Sequence, residues 1–171
     1  MTDRVGALGS RRPEVTAALE RLYSNRRIQL FVTYVHDFSG RSPQSWADAT
    51  AQKNGFGQED LLLAVATGTR QYAYSADVES GFTDAQLADV ARTAIEPALR
   101  QNDWAGAAIG AANGYDAVLG GKPVPVPSLT PGPPDPGGGA AHGEGGIGDY
   151  VLPVVVVGGA GALAAYAYRR R

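Results

Sequence analysis

The sequence predicts an α/β three-layer domain, a small mixed sheet with helices on both faces, followed by one C-terminal transmembrane helix. Three observations lead there. Two apolar, β-rich runs, Ile28–His36 and Leu61–Ala66, flank a helix-patterned stretch, an order that calls for parallel strands joined by a right-handed crossover. Further segments before and after them repeat apolar residues at helical spacing. Finally, Tyr150 to Tyr168 is a run of 19 residues without a charge, closed by Arg169, Arg170 and Arg171.

Composition narrows the function classes. The 171 residues contain no cysteine, which removes disulfides, thiolate metal sites and thiol catalysis. Residues 1–119 carry 11 basic and 14 acidic side chains, so the basic face of a nucleic-acid binder is absent and no nucleic-acid partner is expected.

Each element of residues 1–119 has a local reason. Ser10 is placed to cap a helix whose apolar stripe is Val15, Ala18, Leu19 and Leu22. Ser42-Pro43 reads as the cap and first residue of a helix reaching Asn54 and stopped by Gly55. Gly68-Thr69 supplies a tight turn between Leu61–Ala66 and Gln71–Ser75, so these two strands form a hairpin. Thr83-Asp-Ala-Gln86 is a capping box opening a helix with Leu87, Val90, Ala91, Ala94 and Ile95 on one face. Asn102 or Asp103 caps the last helix, which presents Trp104, Ala108, Ala111, Ala112, Tyr115 and Val118.

Residues 120–149 hold 7 of the 11 prolines and 10 of the 23 glycines, a composition that predicts a disordered linker. The apolar run 150–168 then matches the length of a hydrocarbon core, with Tyr150, Tyr166 and Tyr168 at interfacial positions. Arginines at one end only, residues 169–171, predict a cytoplasmic basic flank, with the N-terminal domain outside a cell membrane crossed once. Met1-Thr-Asp-Arg has neither the basic nor the apolar region of a signal peptide. That leaves either a signal upstream of this chain or a tail anchor with the domain in the cytoplasm.

Few residues suggest chemistry. His36 and Asp37 are adjacent on a strand and point to opposite faces, so they form no dyad there. Gly55-Phe-Gly57 precedes a strand and lacks a following Lys-Ser/Thr, and so reads as a helix stop rather than a phosphate loop. Trp46 and Trp104 read as core. The hairpin, however, places Asp60 at the entrance of one strand at the same sheet end as Asp77, Glu79 and Asp84, at or beyond the exit of the other. Converging carboxylates repel unless a hard cation neutralises them, which makes Asp60, Glu79 and Asp84 the candidate ligands for a weakly held Ca²⁺ or Mg²⁺. The competing expectation is that they are solvated turn residues, with Asp84 favouring the dipole of its helix.

Asn54-Gly-Phe-Gly57, Asp60-Leu-Leu-Leu-Ala-Val-Ala66, Arg70, Glu79-Ser-Gly-Phe-Thr-Asp84, Ile95-Glu-Pro-Ala-Leu-Arg100 and Asn102-Asp-Trp104 together resemble the TPM domain family over about residues 1–119. That family is named for a thylakoid-lumen acid phosphatase, a photosystem II repair factor and a receptor-modulating membrane protein. The resemblance implies an exported, membrane-tethered domain, which favours a signal upstream, and a metal association near the acidic sheet end. The expected function is a binding or regulatory module with an unidentified protein partner; the alternative is a metal-dependent acid phosphatase. Arg70 and Arg92 alone flank an acidic cleft between 54 and 92, and such a cleft disfavours phosphate monoesters.

Overall fold

The computed structural model describes residues 1–133 and the short strand Arg169–Arg170. Strand β1 (Thr2–Asp3) leads through a 3₁₀ turn (Gly9–Arg11) into α1 (Arg12–Arg26), followed by β2 (Gln29–Val35), α2 (Pro43–Lys53), β3 (Asp60–Ala66) and β4 (Gln71–Asp77). Helix α3 (Asp84–Val90), a π turn (Ala91–Ile95), α4 (Glu96–Arg100) and α5 (Trp104–Leu119) complete the domain, and β5 (Arg169–Arg170) adds two residues beside β4. The sheet order is β1-β2-β3-β4-β5. Strands β1, β2 and β3 run parallel, and β3–β4 is the expected antiparallel hairpin, paired from Leu62↔Ser75 to Ala66↔Gln71.

Strand residues alternate between two cores. Leu30, Val32 and Tyr34 of β2, with Leu61, Leu63 and Val65 of β3, face a large core built with α1, α3, the π turn, α4 and α5. Leu62, Ala64, Ala66 and Ala73 face a smaller one closed by Ala47 of α2 and Phe38. Helices therefore cover both faces, as expected. The short strand β1, which the sequence does not announce, adds a second crossover. Because α1 and α2 lie on opposite faces while β1, β2 and β3 step the same way across the sheet, the two crossovers have opposite hands. The right-handed rule therefore holds for one of them and not for the other.

Local signals account for most element ends. Ser42 caps α2 by accepting the Ser45 N–H at 3.2 Å, and Gly55 follows at φ 67°. Thr83 and Gln86 form the capping box of α3. The helical run 84–100 is broken by a π turn ahead of Pro97, whose missing N–H and ring bulk disfavour a regular α-turn. Ser10 does not cap α1: it lies within the 3₁₀ turn, and the α1 N-terminus has no side-chain cap. Asp3 organises this loop instead, accepting N–H groups of Val5, Ala7 and Leu8 at 3.0–3.3 Å.

The proline- and glycine-rich segment is likewise not uniformly a linker. Residues 120–133 lie along the domain: Val124 is buried in the large core, and the Gly132 N–H donates to the Gln101 carbonyl at 3.0 Å. Composition undercounts here because one apolar side chain and a few backbone bonds suffice to dock an extended chain against an already folded surface. Residues 134–149 and the expected membrane span 150–168 lie outside the described residues. Among the described residues no helix is long and apolar enough to cross a membrane.

Candidate functional site

The acidic sheet end forms as the hairpin register requires. Asp60 opens β3 and Asp77 closes β4 at the same end. Each carboxylate there holds a loop. The Asp60 Oδ2 accepts the Gly57 N–H at 2.7 Å, and the Asp77 Oδ1 accepts the Glu79 N–H at 2.8 Å. Gln58 donates its side-chain amide to Glu79, which joins the loop before β3 to the loop after β4. Asp84 is exposed at the first turn of α3, where a negative charge favours the helix dipole. Among the described residues no group of three or more His, Asp and Glu side chains is placed to hold a metal ion. Asp60, Glu79 and Asp84 thus share one end of the sheet without forming a donor set.

A second site lies at the opposite end, where the parallel strands finish. This is the position at which open α/β sheets bind ligands. A crevice of about 450 Å³ is walled by the β1–α1 loop, the start of α5 and the docked segment 130–133. Asp103 anchors it. Its side chain is 2 % exposed and meets three donors: Arg11 Nη1 at 2.6 Å, the Gly106 N–H at 2.7 Å and the Thr130 N–H at 2.6 Å. Charge-assisted bonds of this kind are roughly twice as strong as neutral ones. A Cβ on Gly106 would come within 2.2 Å of that carboxylate, so glycine is required for the cap to close.

Below Asp103, Tyr34 is fully buried and donates its hydroxyl to the Trp104 carbonyl at 2.6 Å. Burial, with smaller contributions from Asp3 and Asp103, pushes its phenol far above the ordinary range, so Tyr34 is a neutral hydrogen-bond donor at any physiological pH. Asp103, Arg11 and Thr130 were legible only in part. The capping role of Asp103 follows from its place before an apolar helix, but partners 92 and 27 residues away leave no local trace. His36 is exposed at this same end, and a Cβ on Gly68 would reach its ring at 2.2 Å.

The crevice can bind, through apolar walls and a few polar groups, but Asp103 is committed to structure rather than poised as a free base. Small α/β domains with a mixed sheet and a loop crevice at the strand ends form a broad class. Within it, the family model of the TPM domain matches residues 1–118, and the chain belongs to that family. Two curated relatives from Mycobacterium tuberculosis, the UPF0603 proteins MT2410 and Rv2345, are each 47 % identical over 118 residues. That match covers 68 % of this chain but 18 % of theirs, so the chain spans less than a fifth of their length.

Solved structures agree. The N-terminal domain of the cg2496 protein from Corynebacterium glutamicum matches with a TM-score of 0.61 at 32 % identity, covering 68 % of this chain and 77 % of that one. An N-terminal domain from P. gingivalis shares the fold with a TM-score of 0.59 at 19 % identity, covering 70 % and 81 %.

Proposed function

We propose that this chain is a binding or regulatory module without catalysis of its own, held at the outer face of a cell membrane by residues 150–168; a cytoplasmic place for residues 169–171 requires Arg169 and Arg170 to leave their pairing with Ala76 and Asp77 of β4. The observation that carries the reading is how its carboxylates are used. Asp3, Asp60, Asp77 and Asp103 all accept loop N–H groups, which makes them scaffold. The test of catalysis is turnover of p-nitrophenyl phosphate by the full chain between pH 4 and 7, with millimolar Ca²⁺ or Mg²⁺. Turnover no greater than that of Asp60→Asn and Glu79→Gln supports a binding module. Turnover that both variants abolish replaces it with the second reading.

That second reading is a metal-dependent acid phosphatase. It is favoured only by the placement of Asp60 and Asp77 at one sheet end, with Glu79 tied across to Gln58. A divalent cation at Asp60, Glu79 and Asp84 requires Glu79 to exchange its Gln58 amide for the ion. Binding would raise stability by about 2.7 kcal/mol at a hundredfold excess over Kd. A thermal melt in chelator against Ca²⁺ or Mg²⁺ reads this directly, and a melt that ignores the metal removes the site. For the membrane arrangement, single cysteines placed between residues 125 and 145 should react with an impermeant maleimide in intact cells; labelling only after lysis reverses the orientation.

A further inference from the structure

The crevice at the strand ends already holds a length of peptide, and that peptide belongs to this chain. Thr130 donates its N–H to Asp103 Oδ2 at 2.6 Å, and Gly132 donates its N–H to the Gln101 carbonyl at 3.0 Å. Pro131 and Pro133 have no N–H to give. Both donors that residues 130–133 own are therefore spent on the domain. They stand two residues apart, the spacing at which an extended chain turns the same side to its neighbour. At Gly132 the approach is so close that a Cβ would run into the Asn102 carbonyl oxygen. The seat thus reads an extended backbone through two alternate N–H groups and demands glycine at the second.

The resident segment is lightly held and fits the seat incompletely. Thr130, Pro131 and Pro133 are exposed, and residues 128–133 belong to neither hydrophobic core. Val124, further back, is the residue that enters the large core. The two hydrogen bonds can therefore open while Val124 stays in place as a pin. Between residues 130–133 and the β1–α1 loop lies the crevice of about 450 Å³, whose apolar walls include Val5, Ala7, Leu8 and Trp104. That volume is in the range of ligand sites, and the resident segment walls it without filling it. Main-chain bonds beside an apolar recess are the two components by which extended peptides are recognised.

Tethering selects the occupant. A segment on a short tether is present at an effective concentration in the millimolar range, so the same segment from a second copy gains nothing by exchange. A partner displaces the resident only by adding contacts, and the contacts on offer are the apolar walls of the crevice. We propose that this crevice binds an extended, proline-rich peptide of a partner, with glycine in the Gly132 slot and a bulky apolar residue in the recess. Residues 130–133 occupy the seat in cis and are displaced when that peptide binds. This rests on the binding-module reading and names its partner class.

The probes are two fluorescent peptides titrated into the full chain in mild detergent, with anisotropy as readout and backbone amide shifts followed in parallel. SLTPGP repeats residues 128–133, and SLLPGP places leucine where Thr130 stands. SLLPGP is expected to bind more tightly than SLTPGP, with the largest shifts at Asp103, Trp104 and Thr130. Two variants of the chain loosen the resident segment independently: Gly132→Ala by the clash with Asn102, and Thr130→Pro by removing the N–H that meets Asp103. Each is expected to tighten SLLPGP at least about tenfold. Alanine in place of the peptide's glycine, or N-methylation of the leucine that precedes its first proline, is expected to abolish binding. The proposal is overturned by equal affinity of parent and both variants, by equal affinity of the two peptides, or by binding that tolerates the alanine. Shifts mapping elsewhere, no binding at all, or a concentration-dependent dimer that exchanges residues 130–133 without peptide also overturn it. Failure here in a chain that also lacks phosphate-ester turnover leaves the binding-module reading standing; turnover would remove that reading by itself.

Discussion

The Asp103 carboxylate accepts the Thr130 backbone N–H at 2.6 Å and so ties the start of α5 to a proline-rich segment 27 residues further on. The same carboxylate closes the cap of α5 and meets Arg11 from the turn before α1. One side chain therefore holds three chain segments, and the crevice at the ends of the parallel strands depends on it.

Removing that side chain should be costly. Asp103→Ala strips the cap of α5 and leaves Arg11 facing a vacated site, for an expected loss of about 3 kcal/mol. Asp103→Asn keeps the shape and part of the hydrogen bonding and should lose less. Chemical denaturation of both variants measures the pair, and an alanine variant within about 0.5 kcal/mol of the parent would remove Asp103 as the anchor.

The docked segment should stabilise the domain. A chain ending at residue 133 keeps Val124 in the core, while one ending at 119 exposes the pocket beside Gly114 that receives it. Burying a valine side chain is worth roughly 1.5–2 kcal/mol, so the shorter chain should melt several degrees lower. Equal melting temperatures would mean that residues 120–133 rest on the surface without contributing.

Helix α5 approaches the π turn so closely that no side chain fits between them. A Cβ on Gly110 would lie 2.7 Å from the Ala94 carbonyl oxygen, a backbone atom held within the helical run. Gly110→Ala should therefore destabilise by about 1–3 kcal/mol despite the better helix propensity of alanine. A neutral or stabilising result would show that the helices slide apart without penalty.

The seam between α1 and α5 should be acid-sensitive. Partial burial pulls the Asp116 carboxyl upward, but hydrogen bonds from Asn25 at 2.8 Å and Arg26 at 2.6 Å outweigh it and hold it below the ordinary range. A lowered folded value contributes stability above the unfolded value, near 3.9, and loses it as pH falls through the folded one. Parent and Asp116→Asn should differ by about 0.5–1 kcal/mol near neutrality, as for a partly exposed pair, and the gap should shrink only as pH falls below about 4, closing once it has passed the folded value. A gap that persists undiminished at low pH would assign the effect to packing instead.

Element identity could be read from the chain because its causes are local. The capping box at Thr83–Gln86, the Ser42-Pro43 start, the hairpin turn at Gly68 and the apolar runs of β2 and β3 each act within a few residues. Local patterning also placed Asp60 and Asp77 at one sheet end, since an antiparallel pair leaves no other arrangement. What it missed depended on distance. β1 is two residues long and carries no period; it exists only because β2 offers an edge. The same holds for Asp103, whose local pattern announced a cap while Arg11 and Thr130 arrived through the fold. Composition alone marked residues 120–133 as linker, yet Val124 found a place in a core assembled by others. The amino-acid order thus determined which segments become helices and strands, because backbone preferences and periodicity are properties of neighbours. Only the tertiary structure decided which carboxylates hold loops and on which side each crossover helix lies, because those depend on surfaces that exist only after the elements have packed.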